Sequence, residues 1–215
     1  MKSIPTLIGL LFISSLSFSQ IYEVGGFVGG SNFIGDVGAT QFVNPNKLAF
    51  GGLFKWNRSP RHSLRASLIY GTLSADDVLS SDPRREVRAY SFNASILEAS
   101  LGIEFNFFDF DLHMATPMST PYIYTGISMA NHPNFFFNSN TLIDEKTKSN
   151  AYGIPIALGF KTTLIDQIVI AVEFGARYTF SDEIDGSKPD SEENQIARFG
   201  NFNNNDWYMF SGLTV

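Results

Sequence analysis

The 215-residue sequence contains no cysteine, which excludes disulfides, thiol chemistry and cysteine-based metal sites. Histidine is scarce: His62, His113 and His132 are the only three. Basic residues are outnumbered, 15 Lys and Arg against 21 Asp and Glu, and the resulting charge of −6 argues against nucleic acid as a partner. Past the N-terminus there is no run of about 18 apolar residues, so helical membrane spans are excluded there. Charged residues make up only 17% of the chain against 44% hydrophobic. A chain this apolar without spanning helices must bury or solvate its apolar surface in another way.

What the chain does have is alternation. In Gln167 to Phe180, QIVIAVEFGARYTF, the residues Ile168, Ile170, Val172, Phe174 and Tyr178 point one way. Val169, Ala171, Glu173, Gly175 and Arg177 point the other. A period of two is a strand. One face is aliphatic and aromatic while the other carries small and charged residues, which suits a sheet between lipid and a polar lumen. The 21 Phe and 18 Gly fit a barrel with interfacial aromatic girdles.

Met1 to Ser19 reads as a secretory signal. Lys2 supplies a short positive region, Ile8 to Leu16 an apolar core, and Ser17-Phe18-Ser19 a small-x-small cleavage site before Gln20. A membrane anchor is the alternative, but the apolar run is shorter than the roughly 20 residues a span needs. Residues 20–215 then form one domain.

That domain carries eight strand candidates: Ile21 to Gly30, Lys47 to Trp56, Ser63 to Leu73, Ala89 to Phe107, Pro121 to Ala130, Ala151 to Leu164, Gln167 to Phe180 and Asp206 to Val215. Facing in the fifth is ambiguous, because Ile123, Ile127 and Met129 share the apolar role with Tyr122 and Tyr124. Pro155, which has no N–H for a ladder, predicts a bulge or a rim position in the sixth. Eight strands of about ten residues match a transmembrane β-barrel.

The connections alternate in length. Asn57 to His62 and Ile165-Asp166 are short; Ser31 to Asn46, Ser74 to Arg88, Asn131 to Asn150 and Ser181 to Asn205 are long and polar. Outer-membrane barrels alternate periplasmic turns with external loops in this way, so the expected fold is an eight-stranded antiparallel outer-membrane β-barrel with both termini periplasmic. One turn is anomalous. Phe108 to Thr120, FDFDLHMATPMST, is longer than geometry demands, and serves either as an Ω-like cap or extension or as a functional surface.

The predicted lumen charges are Glu23, Lys55, Arg65, Glu98, Glu104, Lys161, Glu173 and Arg177, four acids and four bases. Unpaired charges would be costly in so narrow a space, so they must pair. An eight-stranded barrel is just wide enough for its own side chains to fill. The set therefore reads as a structural plug, with a proton or ligand path as the alternative.

Chemistry finds little support. A lipid-modifying barrel would need a serine or carboxylate beside a histidine at the rim. Ser128 near His132, with Asp144 or Glu145, is the nearest approach, and no motif fixes its geometry. The acidic stretch Ser181 to Asn194, SDEIDGSKPDSEEN, departs from the calcium-loop pattern and reads as a solvated loop. No metal, cofactor or small-molecule substrate is expected. Phe33, Phe42, Phe135, Phe136, Phe137, Phe199, Phe202 and Trp207 cluster at the external ends of strands, and Trp56, Phe105, Phe107, Phe108 and Tyr122 at the other. Most read as membrane-interface anchors, with some loop phenylalanines free to cover the mouth or meet a partner.

Three segments carry a family resemblance: Tyr22 to Gly38, YEVGGFVGGSNFIGDVG; Phe54 to Asp77, FKWNRSPRHSLRASLIYGTLSADD; and Arg88 to Phe110, RAYSFNASILEASLGIEFNFFDF. In these the chain resembles the PorG family, small outer-membrane barrels of the type IX secretion system of Bacteroidota. The resemblance implies a non-enzymatic component of the secretion and gliding apparatus, associated with the periplasmic ring built from the lipoprotein PorK and its partner PorN. The chain stops at Val215 without a terminal aromatic, where family members run further, which raises the question of how the eighth strand closes. Combined with the anomalous turn, the resemblance places the ring-docking surface on the periplasmic turns: Arg58, Arg61 and His62 in one, Asp109, Asp111, His113, Met114 and Met118 in the other.

Overall fold

The structure, a computed structural model, describes residues 21–112, 117–138, 141–165, 168–201 and 204–215. Among them are eight strands: β1 (Tyr22–Ile34), β2 (Lys47–Ser59), β3 (His62–Asp76), β4 (Ser91–Asn106), β5 (Ser119–Asn138), β6 (Thr141–Ile165), β7 (Ile168–Thr179) and β8 (Trp207–Thr214). Each pairs antiparallel with its sequence neighbour, and β8 returns to β1 to close a barrel. The closing seam runs from Phe27↔Thr214 to Ile34↔Trp207, and β8 pairs equally with β7, so the last strand closes the cylinder without a terminal aromatic. With eight strands the start of β1 and the end of β8 fall at one end, with the β2–β3 and β6–β7 turns. This is the turn end; the long connections occupy the opposite, loop end.

Alternation makes the barrel. In β4 the residues Leu97, Leu101 and Ile103 are exposed on the outside while Glu98, Ser100 and Glu104 are buried within. β5 resolves in the same way: Ile127 and Met129 face out, Tyr122 and Tyr124 in. The outer surface carries Val24, Val28, Leu48, Phe50, Leu68, Leu158, Val172 and Leu213, all exposed. In water this surface would be unfavourable at about 25 cal/mol per Å² of apolar area. Hydrocarbon is the solvent for which it is built, and closure leaves no sheet edge unpaired inside that solvent.

At the seam, Gly29 lies opposite Gly212. A Cβ on Gly29 would meet the Ser211 carbonyl and the Gly212 Cα inside van der Waals contact, and one on Gly212 would meet the Val28 carbonyl and the Gly29 Cα. Only glycine lets β1 and β8 approach at that level.

Two expectations are corrected. The stretch Asn131 to Asn150 is not a loop: β5 and β6 continue as a hairpin to Asn138 and Thr141. Its alternation is hidden by a register shift between Pro133 and Phe135, which exchanges the faces midway. Pro155 causes neither bulge nor rim. It is buried in mid-barrel opposite Arg177, and the pairs Thr125↔Ile156 and Ser128↔Gly153 on either side keep one register. The missing donor is accommodated by a gap of two pairs in the β5–β6 ladder, not by an inserted residue.

Candidate functional site

The lumen is built from the inward faces of all strands. Glu104 on β4 accepts from Lys161 on β6 at 2.6 Å and from Lys55 on β2 at 3.0 Å, with the Arg65 guanidinium 3.6 Å away. Arg65 on β3 forks onto Glu173 on β7, at 2.5 and 3.1 Å, and the Tyr122 hydroxyl donates to the same carboxylate at 2.7 Å. Nearer the loop end, Arg177 on β7 donates to Glu98 on β4 at 3.1 Å, and Tyr208 donates to Glu98 at 2.6 Å. Arg65 also lies over the Tyr124 ring and Arg177 over Phe210, each 4.6 Å from the centroid. Glu23 takes a hydrogen bond from the Asn57 carboxamide at 2.6 Å.

These contacts join strands that are not neighbours. β3 to β7 and β4 to β7 are connections across the barrel axis, so charged side chains bridge the lumen from wall to wall. Buried pairs of this kind contribute little net stability, but each partner is indispensable once the other is buried. A bridged lumen holds its strands in fixed relation and leaves the surfaces at the two ends to do any work.

At the turn end the anomalous segment folds back. Phe110 is 5% exposed, its N–H bonds to the Pro60 carbonyl at 3.1 Å, and its ring covers the Lys161 ammonium at 4.7 Å. It is a cork, so this part of the segment is the cap and not free surface. Asp109 stays exposed and pairs with Arg61 at 2.5 Å; Arg58 stacks on Trp56 at 4.6 Å. His62, the first residue of β3, packs on the edge of Phe105 at 5.2 Å. Met118 extends the β5–β6 pairing, its carbonyl accepting from the Thr163 N–H and its N–H donating to the Thr163 hydroxyl, and Asp111 is half-buried. His113 and Met114 lie outside the described residues. Phe107 and Phe108, by contrast, are exposed, Phe108 at 62%.

At the loop end, aromatic residues expected as anchors form a second cap. Phe33, Phe92, Phe135, Phe137 and Tyr208 are buried in one cluster with Val37 and Ile184, and Tyr90 and Phe199 pack against it. Tyr90 stacks on Phe137 with centroids 4.2 Å apart. Phe136 is buried as well, and Tyr122 belongs to the lumen and not to the opposite belt. The anchors that remain at this end are Phe42 and Trp207, in edge contact at 6.4 Å; Phe202 lies outside the described residues. The turn-end belt keeps Trp56, Phe105 and Phe107, and Tyr22 and Phe54, not foreseen there, join it.

Aspartates knit the loops over this aromatic cap. Asp77 accepts from the Gly38 N–H at 2.8 Å and holds Arg88 in a two-pronged pair at 2.7 and 3.0 Å, while Arg88 reaches the Asp36 carbonyl at 2.7 Å. Asp185 accepts from the Asp36 and Val37 N–H groups, Asp206 from Ile184, and Asp36 from Asn201. Glu145, in the irregular part of β6, accepts from the Asp190 and Ser191 N–H groups at 3.0 and 3.2 Å. Burial and the neighbouring Asp185 and Asp36 carboxylates push Asp182 up to about 7. The acidic stretch is thus part of a structured lid, and among the described residues no cluster of three metal-ligating side chains occurs. His132 is fully buried with Nδ1 by the Pro133 carbonyl, and Asp144 caps the Lys146 N–H. The residues weighed for lipid chemistry are therefore not assembled at the rim.

The sequence offered a cap for this turn without singling out Phe110, and it did not foresee the latch, the hydrogen bonds by which Asp36, Asp77, Asp185 and Asp206 tie the loops over the aromatic cap. The signal for the latch was present in GDVG at 35–38 and DG at 185–186: Gly38 and Gly186 have φ of +87° and +74°, the left-handed conformation that glycine permits. The signal for the cork was a lone apolar residue between two acids, Phe110 in DFD.

Fold and contents define a closed small β-barrel, lipid-facing outside, braced within and capped at both ends. The chain belongs to the DUF6089 family, described as a domain of unknown function, whose model matches residues 2–215. No curated protein matches it. It is similar to the N-terminal β-barrel domain of Pseudomonas aeruginosa OprF at 14% identity, covering 91% of this chain and 96% of that one with a TM-score of 0.42. It is similar also to Ail, the attachment invasion locus protein of Yersinia pestis, at 9% identity over 90% and 97% of the two chains, TM-score 0.42.

Proposed function

We propose that the protein is a non-enzymatic outer-membrane subunit of the type IX secretion and gliding machinery, which anchors or organises the periplasmic ring through its turn end. The observation that carries this is the rim there. Exposed Phe108 adjoins Asp109 of the Arg61–Asp109 pair, with Arg58 in the same turn as Arg61, a mixed apolar and charged surface beyond the lipid-facing band. The braced lumen supports work by contact over transport. The resemblance to the PorG family supplies the partner, a ring of PorK-like lipoprotein and PorN-like protein. The outer membrane is the location that a lipid-facing barrel behind a secretory signal fits. The turn end and both termini then lie in the periplasm, as in barrels with short turns inside.

Photo-crosslinkers at Phe108 and Arg58 are expected to capture soluble periplasmic ring proteins, and deletion of Leu112 to Pro117 to abolish their co-purification while insertion persists. Adducts formed instead through the long loops, with surface ligands or lipid, would favour an autonomous barrel acting in adhesion or lipid modification.

A further inference from the structure

We propose that a cavity of about 250 Å³ at the loop end, between β1, β3 and the connection that follows β1, binds a single neutral sugar ring. Its wall is built, not incidental. The buried Asn32 side chain donates to the Gln41 and Phe42 carbonyls at 3.1 and 3.0 Å and so holds the segment 41–44 upright. Asn46 donates to the Ser74 carbonyl at 3.0 Å and pins the same segment to β3. Asp76 uses one oxygen to cap the Val78 N–H at 3.0 Å. Gln41 and Asn44, both carboxamide residues, line the cavity with Asp76, whose second carboxylate oxygen the cap does not use, and Ala39 and Leu79 are its apolar lining.

The chemistry of that set selects its ligand. Carboxamides donate and accept at once and a carboxylate accepts, which together answer the paired hydroxyls of a sugar; the apolar lining answers the C–H face of its ring. No lysine, arginine or histidine lines the cavity, so it offers nothing to an anion. One carboxylate falls short of the six to eight oxygens of a calcium site. The volume equals the share of about eight waters at roughly 30 Å³ each, enough for one ring and too little for a chain of them.

Around the cavity, Val78, Leu79, Phe42 and Val43 are exposed, and Phe42 touches Trp207 at the end of the lipid-facing band. A sugar carried on a lipid of the same leaflet would lie at this height. Placing that leaflet on the cell's outside rests on the orientation under Proposed function; the sugar chemistry does not.

The test is saturation-transfer NMR on the detergent-purified chain with methyl α-mannoside, methyl β-glucoside and methyl β-galactoside, repeated with lipopolysaccharide in nanodiscs. Ala39→Trp fills the cavity from its half-buried wall, and Asn44→Leu removes one carboxamide; gel mobility with and without heating verifies that each variant folds. The expected result is transfer to at least one glycoside, about tenfold weaker binding in both variants, as when a site's hydrogen-bonding groups are removed. Binding confined to lipopolysaccharide but lost in both variants supports the site with a glycolipid as its source. Absence of binding to every glycoside and to lipopolysaccharide overturns the proposal, as does binding that Ala39→Trp leaves unchanged. Were the loop end shown by surface labelling to be periplasmic, glycoside binding would stand and only the lipopolysaccharide arm would be lost.

Discussion

Glu104 is the residue on which the turn-ward half of the lumen depends. Fully buried, it faces Lys55, Lys161 and Arg65, so its removal takes from Lys55 and Lys161 the carboxylate they share, while Arg65 keeps Glu173. Glu104→Ala is expected to destabilise the barrel by about 3–5 kcal/mol, read from the urea midpoint of the folded band on gels. Lys55→Met, which leaves Glu104 with two cationic partners, should cost clearly less; equal losses would mean that the network is not centred where the distances place it. On the outside the sign of the argument reverses. Val172, exposed to lipid, should cost about 2–4 kcal/mol as arginine at mid-membrane. Asp182 gives a pH dependence. Asp185, Asp36, Asp206 and Arg198 are the charged groups around it, and its folded value is raised from 3.8 to about 7. Between those values the closed lid keeps a proton that an opened lid would release, so lid stability is full below about 4 and falls as pH rises to about 7. Hydrogen exchange of residues 181–201 should accelerate over that window, and Asp182→Asn should flatten the response.

Among elements, the seam is the vulnerable one. β1 and β8 are farthest apart in sequence, so their pairing is formed against the largest loop-closure entropy, and the Gly29 and Gly212 pair lets the backbones approach. Gly212→Val is expected to abolish the heat-modifiable gel shift, whereas Gly26→Val, where a Cβ would have only the distant Gly51 carbonyl near it, should retain it. How much of this was legible in the sequence varied by element. Strands β3, β4 and β7 alternate cleanly because each has lipid on one side and lumen on the other for its whole length, and their facing could be read residue by residue. β5 was ambiguous because its lumen face holds Tyr122 and Tyr124, whose rings read as apolar while their hydroxyls serve Glu173 and Ser100. The outer hairpin was illegible because a register shift and the aromatic run Phe135 to Phe137 erase the period of two. The glycine turns of the latch were visible in the sequence but its partners were not, since its bonds join residues as much as 165 positions apart.

At the scale of the molecule, charge balance, the Phe110 cork and the aromatic lid all block the same axis from different heights. Reconstituted protein is therefore expected to carry no steady ion current across a planar bilayer. Removing one brace whole, with Arg65→Ala and Glu173→Ala together, should still give a closed barrel, because Phe110 and the loop-end cluster remain. A stable current through the double variant would show that the braces alone close the passage.

The ties from β7 across to β3 and β4 have a mechanical corollary. A hollow cylinder under sideways load flattens, and the deformation dies out within a short distance of where it was applied. One with struts spanning its diameter keeps a round section and tilts as a unit. A push delivered at Phe108 should therefore arrive among the loops as rotation of the whole body, which is the behaviour wanted of an axle and not of a hose.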